Sequence, residues 1–290
     1  MSTVFSEMFL FNPRPKIPPA IPPITIKINT TGSKAGILFV TTEESRLAIC
    51  GIGGGVIIKP VLDAFQMMDV STISFLSGCT VLSMTTYSVI KSKMSKTNSI
   101  NSKTALPLAL GAAVGGILGK WLFSLLTDCF PISKVGAVQS ICLMLITIGT
   151  LVYTIYKAKI KTYHVTSPVF SCIIGVVLGL LSSFLGIGGG PINLVILFFF
   201  FSMSTKEAAE NSLYIIFFSQ IASLLSSVVT SSIPAFDPVV LIFMVIGGIA
   251  GGIFGRGLNK KISEKTVDKL FIGLMVVIIF INIYNFYCFM

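Results

Sequence analysis

Six stretches of this chain are apolar for close to the length of a bilayer crossing, about 20 residues. They are 105–127, 135–156, 168–186, 211–233, 238–255 and 270–290. Such runs leave the backbone few options. In hydrocarbon every N–H and C=O needs a partner from the protein, which leaves helices or a closed barrel. Barrel strands alternate apolar and polar residues over about ten positions, and these runs do not alternate. The expected fold class is therefore all-α, a polytopic helical membrane protein. Charge agrees: 11% of the 290 residues are charged, against about 25% in soluble domains.

The net charge of +10 does not point to nucleic acid. Most Lys and Arg sit in short loops between apolar runs, as the positive-inside rule requires. The lipid bilayer is the expected large partner. Residues 1–34 carry Pro13, Pro15, Pro18, Pro19, Pro22 and Pro23. They read as an extended tail rather than a helix or a leader peptide. The six cysteines form no CxxC pair, and Cys79, Cys142 and Cys172 lie inside apolar runs. Packing is their default role.

Beyond the tail the chain divides into two halves, 35–162 and 163–290. Each holds the same parts in the same order. An apolar arm leads into GIGGG, at 51–55 and again at 186–190. A short apolar segment follows, 56–66 or 191–201. Next comes a Ser/Thr-rich helix, 70–91 or 204–230. A Gly-rich helix, 104–126 or 237–258, and a last apolar helix, 134–157 or 264–286, complete the set. Gly111, Gly115 and Gly119 repeat as Gly247, Gly251 and Gly255, with Lys120 and Arg256 after the last glycine of each set. Small residues four apart let helices approach closely in lipid.

Loop charge orients the halves. Lys91, Lys93, Lys96 and Lys103 flank the loop before the first Gly-rich helix, whereas the matching loop near 230–237 has only Asp237. After the Gly-rich helices the pattern reverses: Asp128 stands in half one, and Lys260, Lys261, Lys265 and Lys269 in half two. The halves are expected to be inverted repeats, a common plan of secondary transporters. The segments after GIGGG have about 11–13 residues, or roughly 17–20 Å of helix. That is short of the hydrocarbon core of about 30 Å. Hairpins that dip in and return are the favoured reading.

GIGGG is not a dinucleotide loop. Val56 and Pro191 stand where a GxGxxG fingerprint needs its third Gly, and no GKS or GKT follows. Bare glycines instead leave backbone N–H groups uncovered. A helix starting just after them aims its positive end into the turn. The candidate substrate-binding residues are Gly53, Gly54, Gly55, Gly188, Gly189 and Gly190, with Lys59, Ser77, Asn193, Asn211 and Ser212. Close packing is the competing use of the glycines. Lys59 and Asp63 share a helix face, so Lys59 either faces an anion or neutralises Asp63. The hydroxyl stripes Ser74/Ser77/Thr80/Ser83 and Ser212/Ser219/Ser223/Ser226 either ligate an anion or bond across helices. Ser204 and Glu207 form a capping-box pattern. The single histidine, His164, lies in a basic loop, and no carboxylate pair, metal cluster or triad stands out. The chain reads as a non-enzyme that needs no cofactor or metal.

The ordered set resembles the TauE/SafE anion exporter family over about 36–290. It comprises GIGGG, a short segment holding Pro60, the "KEAAENS" helix start at 206–212, and a GxxxG helix ending in Gly-Lys or Gly-Arg. The glycine turns and the helix starts at Ser77, Asn211 and Ser212 match the family pattern. The resemblance implies a multi-pass permease of the plasma membrane for sulfite or organosulfur anions. An anion channel with the glycine tips as filter, or a non-transporting scaffold or sensor, are the alternatives. Two features depart from the pattern. The first arm "ILFVTTEESRLAIC" carries Glu43, Glu44 and Arg46. Lys59 and Asp63 stand where apolar residues are expected.

Overall fold

The computed structural model describes residues 55–65, 68–94, 102–261 and 263–290. The Pro-rich tail, the charged first arm, and Gly53 and Gly54 lie outside the described residues. Those described form nine α-helices and no strand. In half one these are α1 (Gly55–Phe65), α2 (Val70–Met94), α3 (Ser102–Cys129) and α4 (Ile132–Tyr156). In half two they are α5 (Pro168–Leu185), α6 (Gly190–Phe201), α7 (Thr205–Val229), α8 (Pro238–Lys261) and α9 (Glu264–Phe289). Six of them, α2, α3, α4, α5, α7 and α9, are long and apolar enough to cross a membrane.

Local chemistry sets the helix starts. Ser204 and Glu207 form the expected capping box on α7, with Ser204 N–H donating to Glu207 Oε2 at 2.9 Å. Ser263 caps α9 by accepting from Thr266 N at 3.3 Å. Ser167 caps α5, and Pro168 fits the first helical turn. Asp237 accepts from Val239 N at 2.8 Å and opens α8.

The α5–α6 pair is a hairpin whose ends meet. Tyr163 N–H donates to Phe199 O at 2.8 Å, and Val165 N–H to Phe200 O at 2.9 Å. The linker ahead of α5 thus satisfies carbonyls at the end of α6. Both helices touch the same side of the molecule, and their connecting turn lies at the far end. The 12 residues of α6 span about 18 Å, too short to cross on their own.

The most extensive contact joins α3 to α5. A methyl group on Gly111, Gly115 or Gly119 would strike the carbonyl of Cys172, Val176 or Leu180. Gly175 and Gly179 meet Leu108 and Ala112 carbonyls in the same way. Here the glycines let two backbones touch, the small-residue packing expected in lipid.

Most of the remaining contacts come in matched pairs. α3 packs on α7, and α8 on α2; α1 packs on α9, and α6 on α4; α1 packs on α2, and α6 on α7. Single residues follow suit: Gly116 abuts Ser219, and Gly252 abuts Met84. α2 with α7, and α4 with α9, meet across the middle.

The short helices α1 and α6 lie inside. Ile58, Leu62, Leu194 and Leu197 are fully buried in a core shared with Phe271, Met275 and Ile278 of α9. The outer faces carry Leu110, Val114, Trp121, Leu145, Ile242 and Phe280 in the open. In water such a surface would aggregate; in a bilayer it is the solvent-matched side. At one end, Lys157 pairs with Asp268 at 2.6 Å. Thr205 Oγ donates to the same carboxylate at 3.2 Å, and Lys157 Nζ lies 5.1 Å over the Phe198 ring. This cluster ties the residue just past the end of α4 to α6, α7 and α9.

Candidate functional site

The second GIGGG is a run of left-handed backbone. Gly186, Gly188, Gly189 and Gly190 have φ of 66°, 74°, 93° and 34°. Side chains resist this region, so the motif fixes the turn. α6 begins at Gly190 without a side-chain cap. Its start is buried, with Gly190, Pro191 and Asn193 all enclosed. The first N–H groups of any helix lack intrahelical partners, and the helix dipole makes that end positive.

Five residues from four helices surround the turn. A methyl on Gly188 would meet Val81 of α2 and Ile216 of α7. One on Gly186 would stand 2.9 Å from Ser74 Oγ and 3.2 Å from Lys59 Cδ. One on Gly189 would stand 2.5 Å from Asn193 Nδ2, so the Asn193 amide folds back over the turn. Ser77 lies between Ser74 and Val81 in the i, i+3, i+7 series of one α2 face. Ser212 lies one helical turn before Ile216 on α7.

These polar side chains have a common property. Asn193 Nδ2 and Oδ1 and the hydroxyls of Ser74, Ser77 and Ser212 are buried without a hydrogen-bond partner. Asn193 is 1% exposed and Ser77 and Ser212 are 0%. An unsatisfied buried polar group costs about 1–3 kcal/mol, so such groups need an explanation. Ser74 and Asn193 stand against the glycine turn, and Ser77 and Ser212 lie one helical turn from residues that do, so the four make a polar nest with donors to spare.

The structure places the other sequence candidates differently. Gly55 opens α1. Lys59 Nζ binds Asp63 Oδ2 at 2.6 Å, with the two residues 2% and 4% exposed. Its charge is matched within α1, while its stem lies against Gly186 of the other half. Asn211 is buried and donates Nδ2 to Glu207 O at 2.8 Å, one turn back. Thr80 and Ser83 likewise bond backward to Leu76 O and Cys79 O, so this part of the α2 stripe serves its own helix. Asn285 of α9 was not singled out by the sequence; it donates to Pro60 O at 2.8 Å inside α1. An Asn in an otherwise apolar terminal run was the available signal. Lys120 follows a glycine set in the sequence, and in the fold it lines a cleft beside Gly186. A lone Lys inside the run 105–127 was its signal. Among the described residues no group of His, Cys, Asp and Glu could hold a metal.

Comparison with curated proteins gives no match, and comparison with solved structures gives none. Comparison with protein families gives one, described as Sulfite exporter TauE/SafE, over residues 46–281. That span takes in both GIGGG motifs and all of α1 through α8, so this chain belongs to the sulfite exporter TauE/SafE family.

Proposed function

We propose that the chain is a plasma-membrane transporter of small anions, of the sulfite or organosulfur class, and that it works by alternating access between two inverted halves. Membership of the TauE/SafE family implies a membrane transporter of that class. The observation that carries the site is the glycine turn at 186–190. It joins an uncapped, buried helix start to unpartnered donors on α2, α6 and α7. Backbone N–H groups, a helix dipole and neutral hydroxyls hold an anion without a buried counter-charge. Gly53, Gly54 and Gly55 are proposed to do the same from the opposite direction. Lys59, Ser77, Asn193, Asn211 and Ser212 complete the substrate-binding set. The matched contacts of the two halves and the reversed loop charges support the inverted arrangement.

Purified protein in liposomes tests this with labelled sulfite, sulfate, thiosulfate and sulfoacetate. Saturable flux of at least one anion is expected, and no flux of any would sink the transport reading. Current that rises with voltage and never saturates would instead indicate a channel. For topology, cysteines at Asn98 and Lys265, in a background without native cysteines, should react with an impermeant reagent from one side. A cysteine at Ser232 should react from the other. Labelling of positions 98 and 265 from opposite sides would end the inverted arrangement.

A further inference from the structure

Beside the glycine turn lies a second polar feature, which shares only Ser74 with the nest above. Lys120 on α3, Ser74 on α2, Ser183 on α5, and Gln220 and Ser223 on α7 line one cleft together with Gly186. Four helices contribute, so no single amphipathic face accounts for it. Lys120 is nine residues before the end of α3, about 13 Å of helix. Its Nζ lies 5.2 Å over the Phe123 ring, one turn further along. The side chain therefore stays at membrane depth. A Lys held there is expensive and functional by default.

The balance of charge sets the ligand class. Among the described residues no carboxylate lies within ion-pair distance of Lys120, and none lines the cleft. The other lining groups that can donate are neutral. Ser183 and Ser223 share a hydroxyl–hydroxyl bond of 2.7 Å. The Ser74 hydroxyl is buried and has no partner. One cation, several hydroxyls and an amide suit a ligand with negative charge and several acceptor oxygens. A cation path would carry acids instead.

The cleft is also placed to serve the turn. Ser74 and Lys59 both touch the space next to Gly186. The α7 residues of the cleft lie between Ile216, which touches Gly188, and the end of α7 at Val229. The loop after Val229 has no Lys or Arg before α8, which marks the non-cytoplasmic side. We propose that this cleft is a second anion site, an outer vestibule in which Lys120 with the Ser74, Ser183 and Ser223 hydroxyls holds a small oxyanion next to the glycine turn. The proposal rests on the transport reading for its role, and its test separates the two.

The test uses full-length protein and sulfite, by two readouts. One is saturable flux in liposomes; the other is the rise in melting temperature as sulfite is added, since a ligand that binds only the folded state stabilises it. Lys120→Gln should raise the half-saturating sulfite concentration about tenfold or more, the scale of one charge-assisted hydrogen bond. Lys120→Arg keeps the charge and should stay within about threefold of wild type. Lys120→Gln behaving as wild type in both readouts would overturn the vestibule and leave transport standing. Wild type without flux, but stabilised by sulfite in a Lys120-dependent way, would do the reverse. Should Lys120→Gln fail to fold, Ser223→Ala decides, since Ser223 lines the cleft and not the nest. It keeps the charge, loses one hydroxyl, and should weaken sulfite binding several-fold; unchanged binding overturns the proposal.

Discussion

At the scale of single residues, Asn193 and the Lys59–Asp63 pair make opposite bargains with burial. Asn193 has an amide without a protein partner, so its removal should not harm the fold. Asn193→Leu is expected to melt no lower than wild type, because an unsatisfied buried group costs about 1–3 kcal/mol. Anion flux should fall at least about tenfold, the equivalent of one lost contact of about 1.4 kcal/mol. Intact flux would remove Asn193 from the site. Lys59 and Asp63 neutralise each other through Asp63 Oδ2, with Oδ1 left without a partner, and taking one residue away strands the other's charge. Lys59→Ala should cost about 3–5 kcal/mol, whereas the apolar pair Lys59→Met with Asp63→Leu should recover most of it. Thermal unfolding reads the stability and flux reads the site. A double variant with full stability and full flux would confine the pair to a structural role. The spacing of Lys59 and Asp63 made their pairing legible from sequence, because an i, i+4 relation is local. The contact of Lys59 with Gly186 was not legible, since it joins residues from different halves.

At the scale of elements, the glycines divide into those that touch and those that do not. Gly115 on α3 meets the Val176 carbonyl, whereas Gly149 on α4 has open space around it. Gly115→Leu should destabilise by at least about 1–3 kcal/mol, since backbone cannot move aside as a side chain can. Gly149→Ala should stabilise slightly, by about 0.5–1 kcal/mol, through helix propensity alone. Melting temperatures in detergent decide both, and equal effects would mean that α3 and α5 are not in close contact. The helices themselves were readable within a few residues of their ends, because the apolar runs and the Ser204–Glu207 capping box are local signals. The left-handed turn at 186–190 was readable for the same reason: only glycine fills such a run cheaply. Lys120 as part of a cleft was not readable. Four helices must pack before Ser74, Ser183 and Ser223 stand beside it, and no spacing in the chain encodes that.

At the scale of the whole molecule, the two halves make matched contacts but are not equal. The cluster of Lys157, Asp268 and Thr205 ties the residue just past the end of α4 to α7 and α9 at one end of the bundle. Val70, at the start of α2, occupies the place that Thr205 holds at the start of α7, and it has no hydroxyl to offer. A partly exposed ion pair of this kind is worth up to about 1 kcal/mol. Kept in one of two interconverting shapes and broken in the other, it skews their populations about fivefold. Asp268→Asn should even them out, seen as a broader distance distribution between spin labels on α4 and α9; an unchanged distribution would mean the cluster moves as one piece. Two halves of identical strength would idle midway between facing in and facing out. On the proposed alternating-access mechanism, this asymmetric fastening would give the resting protein a default side, and so decide which compartment an arriving anion meets first.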